Sequence, residues 1–230
     1  MKILVATPCY GSMLSQYYFM SFFKTLAAFT DSGWQIGTFT LGNESLIARG
    51  RNTAAGYFLK NPRWNKLFFI DADITWTPQD FGKIVTSSCY IIGGAVPLKK
   101  FPITLNFNPK KEDEQFFVGD NRSPESYRKM SEAHGGKNIQ VKKLGTAFLC
   151  IDRFVLEELK PHVKAYKDTT TGPEPLDCWD FFGTGVDEEG DYLSEDWFFC
   201  RLAAEHGFQT HLHPDLIVKH TGNFTFEAGQ

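Results

Sequence analysis

Four apolar runs in the first hundred residues constrain this chain more than any other feature. They are Lys2 to Thr7, Trp34 to Leu41, Trp64 to Ile70 and Tyr90 to Val96, and segments of helical length and spacing separate them. Continuous apolar stretches such as Lys2 to Thr7 and the Leu67-Phe-Phe-Ile end of the third suit buried strands, and Trp34 to Leu41 alternates well enough for a strand. Strands alternating with helices imply an α/β fold with a mostly parallel central sheet flanked by helices. The predicted helices are Met13 to Phe29, Ser45 to Leu59 with Gly50 and Gly56 as weak points, and one opened by Thr77 as N-cap with Pro78 in the first helical position.

Beyond residue 100 the pattern loosens. Residues 101 to 143 are polar and weakly periodic, with Lys110-Lys-Glu-Asp-Glu and Gly135-Gly136, and read as surface insertions. Lys143 to Ile151 reads as one strand and Asp152 to Leu159 as a helix. Residues 161 to 193 are rich in Pro, Gly, Thr and Asp, which marks a functional or mobile loop. Ser194 to His206 is a predicted helix, capped by Ser194, with Glu195 and Asp196 in its first turn and Gly207 at its end. A short strand from Gln209 to Leu212 and a segment from Pro214 to His220 follow. No repeat or low-complexity linker interrupts the 230 residues, so one domain is expected.

Composition removes several function classes. The 24 basic and 27 acidic residues leave a net charge of −3, without the basic excess that a nucleic-acid-binding chain needs. Five Cys with no CxxC pair argue against a disulfide framework or zinc knuckle and for buried thiols in a reducing, cytoplasmic compartment. No apolar run approaches a membrane span, and Met1 to Pro8 is too short for a signal peptide. The triplets at Asn43, Asn121 and Asn223 match a glycosylation pattern that has no meaning in a cytosolic chain. The 22 Phe residues suit a Phe-rich core, with aromatic walls around a sugar or base as the functional alternative.

The sharpest chemical signal is Leu67-Phe-Phe-Ile-Asp71-Ala-Asp73. On an extended segment, residues two apart face one side, with Cα atoms about 7 Å apart. These two would stand at the carboxyl end of a strand, where open α/β sheets place ligands. Their mutual repulsion is relieved by a divalent cation, and oxygen ligands favour Mg2+ or Mn2+. The plainer explanation of such a pair is a solvated turn. Two further groups join it. Glu195-Asp196 at a helix start is held ionised by the helix dipole and suits a general base. His220, after a short apolar stretch, offers a nitrogen ligand. Each alone reads more simply as ordinary helix charge or a satisfied His.

In this order the pieces resemble glycosyltransferases of the GT-A fold, in the short form found in many phage and viral genomes. The matching residues are Val5-Ala-Thr-Pro8, Arg49-Gly-Arg51-Asn52-Thr-Ala-Ala, Leu67-Phe-Phe-Ile-Asp-Ala-Asp73 and Gly93-Gly-Ala-Val-Pro97-Leu-Lys99. They continue with Leu144-Gly145-Thr-Ala147-Phe-Leu, Leu193-Ser-Glu195-Asp196-Trp-Phe-Phe-Cys-Arg and His220-Thr-Gly222. The likeness spans nearly the whole chain and lapses at about residues 101–141 and 161–191. It implies transfer of a sugar from a nucleotide-sugar donor (a UDP- or GDP-sugar) to a glycan or other hydroxyl acceptor. Residues 1–100 would be the nucleotide-binding half and 101–230 the acceptor-binding half.

The resemblance also assigns roles. Asp73 and His220 would bind the metal. Asp71 would hold the ribose or a metal-bound water. Thr7, Pro8 and Tyr10 would line the nucleoside pocket, and Arg49 and Asn52 would hold the nucleotide or position Asp71. Gly145, Thr146 and Ala147 would wall the sugar, and Lys99 and Lys100 would contact phosphate or remain a solvated pair. Asp196 would be the base of an inverting transfer, with Glu195 contacting acceptor or donor sugar. Loop 161–193 would order only when donor binds. In a virus the compartment would be the host cytoplasm.

Two alternatives use the same residues. A metal-dependent nucleotidyl or phosphoryl transferase would draw on Asp71 and Asp73, with Asp80 as the nearest further acid; no P-loop is present. A non-catalytic nucleotide-sugar-binding module would keep the aromatic walls and lack the base. No G-x-S-x-G supports a hydrolase.

Overall fold

The structure, a computed structural model, describes residues 1–117, 119 and 122–222. Asn121 and Asn223 of the triplets lie outside these residues. The chain opens with β1 (Lys2–Cys9), in which Ile3, Leu4, Val5 and Ala6 are all buried. Ser15 caps α1 (Gln16–Phe29) by accepting from the Tyr18 N–H at 3.0 Å, so the helix starts three residues later than expected. β2 (Gln35–Gly42), α2 (Ile47–Lys60) and β3 (Lys66–Ile70) follow. β1 pairs in parallel with β2 on one side and β3 on the other. The chain therefore crosses β1 between its second and third strands. The carboxyl ends of all three strands meet at this switch point, where open α/β sheets bind ligands.

Next come β4 (Ile74–Thr75), α3 (Pro78–Val85) and β5 (Ile91–Ala95). Thr77 and Asp80 form a reciprocal capping box on α3, as Thr77-Pro78 led us to expect. The second half supplies β6 (Phe107–Pro109), α4 (Pro124–Ala133), β7 (Ile139–Leu144), β8 (Phe148–Asp152) and α5 (Arg153–Leu159). It ends with β9 (Ala165–Asp168), β10 (Leu176–Trp179), β11 (Gly185–Val186), β12 (Tyr192–Leu193), α6 (Glu195–Glu205), β13 (Thr210–Ile217) and β14 (Lys219–His220).

The main sheet has eight strands in the order β2-β1-β3-β8-β5-β13-β7-β6. Six point one way; β7 and β8 oppose them. This is the expected mixed α/β architecture, with a mostly parallel central sheet between helices. Side chains alternate between two cores. Leu4, Ala6, Leu67 and Phe69 join Ala54 of α2, Val155 of α5 and Phe199 of α6 on one face. Ile3, Val5, Phe68 and Ile70 join Tyr18 of α1 and Phe81 of α3 on the other.

Three expectations are corrected. Lys143 to Ile151 is two strands, because the chain turns at residues 145–147 and moves from β7 to β8, which sit three places apart in the sheet. Gly93 leaves room for this crossing, since a Cβ there would stand 2.5 Å from the Phe148 carbonyl oxygen. Residues 101–143 are not mere surface insertions. Leu105, Phe107, Tyr127, Met130, Ile139 and Val141 lie in the main core, and a sparse apolar set among polar neighbours concealed this.

Residues 161–193 are largely folded. The β9–β10 hairpin packs on α2, where Gly56 is a contact point and not a weakness: a Cβ there would lie 2.6 Å from the Asp177 carbonyl oxygen. Phe181 and Phe182 are fully buried. Apolar burial of this kind favours a folded segment, while the stretches at 169–175 and 187–192 stay mostly exposed.

Candidate functional site

A cleft of about 660 Å³ opens at the carboxyl ends of β1, β2 and β3. Pro8 and Tyr10 reach it from the end of β1, Glu44 from the loop after β2, Ile47 from the start of α2, and Asp71 and Asp73 from the end of β3; Lys99, after β5, and Thr221 and Gly222, after β14, close it. Tyr10 is 77% exposed and, with Met13 and Leu14, forms an apolar wall.

Asp71 and Asp73 do not lie on an extended segment. The Ile74 N–H donates to the Asp71 carbonyl at 3.0 Å, which closes a turn and sends the carboxylates to different partners. Asp73 meets Lys99 through Oδ2 and His220 Nε2 through Oδ1, the latter at 3.3 Å. The short β14–β4 pairing and a bond from the Thr221 N–H to the Asp73 carbonyl at 2.9 Å bring His220 there. His220 Nδ1 lies 2.7 Å from the Pro97 carbonyl oxygen. A carbonyl only accepts, so this nitrogen carries the proton and Nε2 is aimed at Asp73.

Burial opposes charge on both partners. For Asp73, His220 and Lys99 outweigh it and push the carboxyl down to about 2. For His220, burial lowers the pKa, but Asp73 and the Pro97 carbonyl raise it above its ordinary value. A raised His pKa stabilises the fold fully below the unfolded value near 6.5, and that contribution fades as pH rises through the folded value. At the acid end, the Asp73 contribution is present above 3.8 and fades as pH falls towards 2. Wild type should therefore exceed His220→Gln in stability most at about pH 5, and the gap should shrink towards about pH 8. Denaturant titrations across that range test this. A gap independent of pH refutes a charged His220 in the pair.

Asp71 belongs to a second network. Arg51 on α2 is 3% exposed. Its Nη2 lies 3.1 Å from Asp71 Oδ1 and 3.2 Å from Oδ2, its Nε donates to Glu195 at 3.3 Å, and its guanidinium rides over the Phe69 ring at 5.3 Å. Burial opposes the Arg51 charge, and Asp71 and Glu195 more than offset it. Two buried atoms here, Arg51 Nη1 and Asp71 Oδ1, make no hydrogen bond. Such orphans point to a polar ligand or water that completes the site.

Glu195 thus joins Asp71 through Arg51. Asp196, 9% exposed, does not join them. Its Oδ1 accepts from the Ser194 hydroxyl and, at 2.8 Å, from the Trp197 N–H. Ser194 stands at the N-cap as expected, but its hydroxyl serves Asp196 and not a helix N–H.

The remaining predicted residues scatter. Thr7 is buried and its hydroxyl shares a hydrogen bond with Tyr18, so it supports the cleft from beneath and does not line it. Arg49 grips Glu44, at 2.6 and 2.9 Å, so Glu44 faces the cleft already neutralised. Asn52 donates to Asp180 and accepts from the Phe182 N–H, both at 2.9 Å, and so pins residues 180–182 to α2 without touching the cleft. Gly145, Thr146 and Ala147 form the turn behind Asp71, whose N–H donates to the Ala147 carbonyl at 3.0 Å. They too stand outside the cleft lining.

Arg51 is a site residue that the motif alone does not single out. Its signal lies in the run itself: a long cation among Gly50, Asn52, Thr53, Ala54, Ala55 and Gly56, residues small enough to bury this stretch of helix on all sides, must find carboxylates. Asp80, the further acid that a phosphoryl-transfer site would recruit, is spent on the Thr77 cap, at 2.9 and 2.8 Å. Among the described residues a tighter acidic group lies elsewhere, at Asp187, Glu189 and Asp191 in the β11–β12 turn, within 4.8 Å of one another. Asp187 there is occupied by the N–H groups of Glu189 and Asp191.

No protein-family model matches this chain, and no curated protein matches it significantly in sequence. Among solved structures, a crystal structure of A197 from STIV is 16% identical, with 100% of this chain and 99% of that one covered and a TM-score of 0.51. One of GalNAc-T7 with UDP, GalNAc and Mn2+ is 8% identical, with 96% of this chain and 43% of that one covered and a TM-score of 0.49. The likeness to A197 runs end to end and is one of fold. Among the described residues no helix is long and apolar enough to cross a membrane.

Proposed function

We propose that this chain is a metal-dependent glycosyltransferase that moves a sugar from a nucleoside-diphosphate sugar to an acceptor hydroxyl. The observation that carries this reading is the Asp73–His220 pair at the mouth of a cleft formed by three parallel strand ends. The pair fits a divalent ion: the two ligand atoms are 3.3 Å apart, and adjacent ligands around an octahedral ion with bonds of about 2.1 Å stand roughly 3 Å apart. One oxygen and one imidazole nitrogen suit Mn2+, with Mg2+ second. The Lys99 ammonium already pairs with Asp73, which supports reading this carboxylate as one that faces a cation.

Bound there, the ion supplies Lewis-acid neutralisation of the departing diphosphate. The protein supplies the rest. Tyr10, Met13, Leu14 and Ile47 give the nucleoside an apolar seat. Asp71, backed by Arg51, offers a carboxylate acceptor for a ribose hydroxyl or water. Glu195, fixed by the same guanidinium, is held beside Asp71 for contact with a sugar. Asp196 stands outside the cleft lining; its Oδ1 is saturated and among the described residues its Oδ2 has no partner, and we assign Oδ2 the role of taking the proton from an acceptor hydroxyl that enters beside the donor. The acceptor oxygen bonds to the anomeric carbon as the bond to the diphosphate breaks, with inversion. Residues 1–100 line most of the cleft, which leaves acceptor contacts to 101–230.

A thermal-shift panel tests the proposal: UDP, GDP and their sugar conjugates, each with Mn2+, Mg2+ or EDTA. Ligand at a hundred times Kd stabilises by about 2.7 kcal/mol, and for a chain of this size that moves the midpoint by roughly 5–11 °C. Wild type should respond only with metal, and Asp73→Ala should not respond. Equal response with EDTA, or response to no nucleotide, refutes the reading. Response to monophosphates with no preference for sugar conjugates would favour phosphoryl transfer.

A further inference from the structure

We propose that Lys99 is a placeholder cation: its ammonium occupies Asp73 until a divalent ion takes that carboxylate, and then turns to the donor's diphosphate. This rests on the function proposed above. The cleft carries three acids and one basic lining residue. Glu44 is neutralised by Arg49 and Asp71 by Arg51, both from outside the lining. Asp73 is the carboxylate whose cation, Lys99, itself stands in the cleft.

The two oxygens of Asp73 are divided between His220 and Lys99. An ion held by Asp73 and His220 would sit against the ammonium, and like charges at that distance repel strongly in a half-buried site. Lys99 can yield. Its side chain is 44% exposed, and its backbone is anchored independently of the ammonium by the Leu98 N–H to Thr104 carbonyl bond at 2.8 Å and by the Pro97–Leu105 bridge. Gly222 leaves a path for the stem, since a Cβ there would lie 3.2 Å from Lys99 Cδ. Once displaced, the ammonium is the single protein cation lining the cleft among the described residues. Phosphate oxygens arriving with the metal are its natural partner.

The test is Lys99→Met, which keeps the stem and removes the charge. Two titrations are read on folded protein, checked by circular dichroism. Mn2+ alone, followed by electron paramagnetic resonance of the free ion, should bind about tenfold more tightly to the variant. The preformed Mn2+–pyrophosphate complex, followed by calorimetry, should bind about tenfold more weakly. Pyrophosphate makes the second arm independent of the base. A merely damaged site would weaken both, so the opposite signs are diagnostic. Unchanged or weaker Mn2+ binding overturns the placeholder role, and unchanged pyrophosphate binding overturns the second role. If neither wild type nor variant binds Mn2+, the function proposed above falls as well. Lys99→Gln repeats both titrations should Lys99→Met fail to fold.

Discussion

Arg51→Met should lower the thermal midpoint by roughly 6–20 °C, the largest stability loss expected from a single polar substitution in this chain. The side chain of Arg51 is 3% exposed and those of its partners Asp71 and Glu195 only 26% and 13%. Removing it leaves two carboxylates in low dielectric without their cation, a change that costs about 3–5 kcal/mol. The ring of Phe69 loses its guanidinium as well. Methionine fills much of the volume, so the loss reports charge more than cavity. Arg51→Met with Glu195→Gln should recover part of the midpoint, because one unpaired charge is then gone. A single variant within about 2 °C of wild type would show that Arg51 does not clamp β3 to the start of α6.

The second large effect is on rate. Asp196→Asn should cut sugar transfer by about 10²–10⁴-fold while leaving metal-dependent nucleotide binding intact. Asparagine keeps Oδ1 as acceptor for Ser194 and the Trp197 N–H, so α6 retains its start. What it loses is the basic Oδ2. The measurement is transfer to acceptor under the metal and donor conditions selected by thermal shift. Transfer within threefold of wild type removes Asp196 as the base and leaves Glu195, the neighbouring carboxylate at the same helix start. Retained donor binding with no transfer in wild type itself would favour a binding module.

Much of this site was legible because short-range rules govern its parts. The Leu67–Ile70 run had to be a buried strand, and Asp71 and Asp73 had to follow its carboxyl end. Thr77-Pro78 had to open a helix. The partners were a different matter. Asp71 and Asp73 look equivalent on paper, yet a single turn bond at Ile74 gives one to Arg51 and the other to Lys99 and His220. Asn52 matched a motif and proved to be a clamp for Phe182. Residues 161–193 looked mobile because Pro, Gly and Thr dominate them, while Phe181, Phe182 and the fit against Gly56 hold them down.

By itself the sequence determined the element types of the first hundred residues, the two-sided burial of β1, β3 and β5 and the presence of carboxylates at a strand end, because these follow from periodicity and propensity within a dozen residues; β2, at the sheet edge, is buried on neither face. Tertiary structure alone decided which cation each carboxylate meets. Arg51 and Glu195 are 144 positions apart, and Lys99 and Asp73 are 26 apart. Whether such groups touch depends on sheet order, and sheet order is set by the summed burial of both cores and not by any local signal.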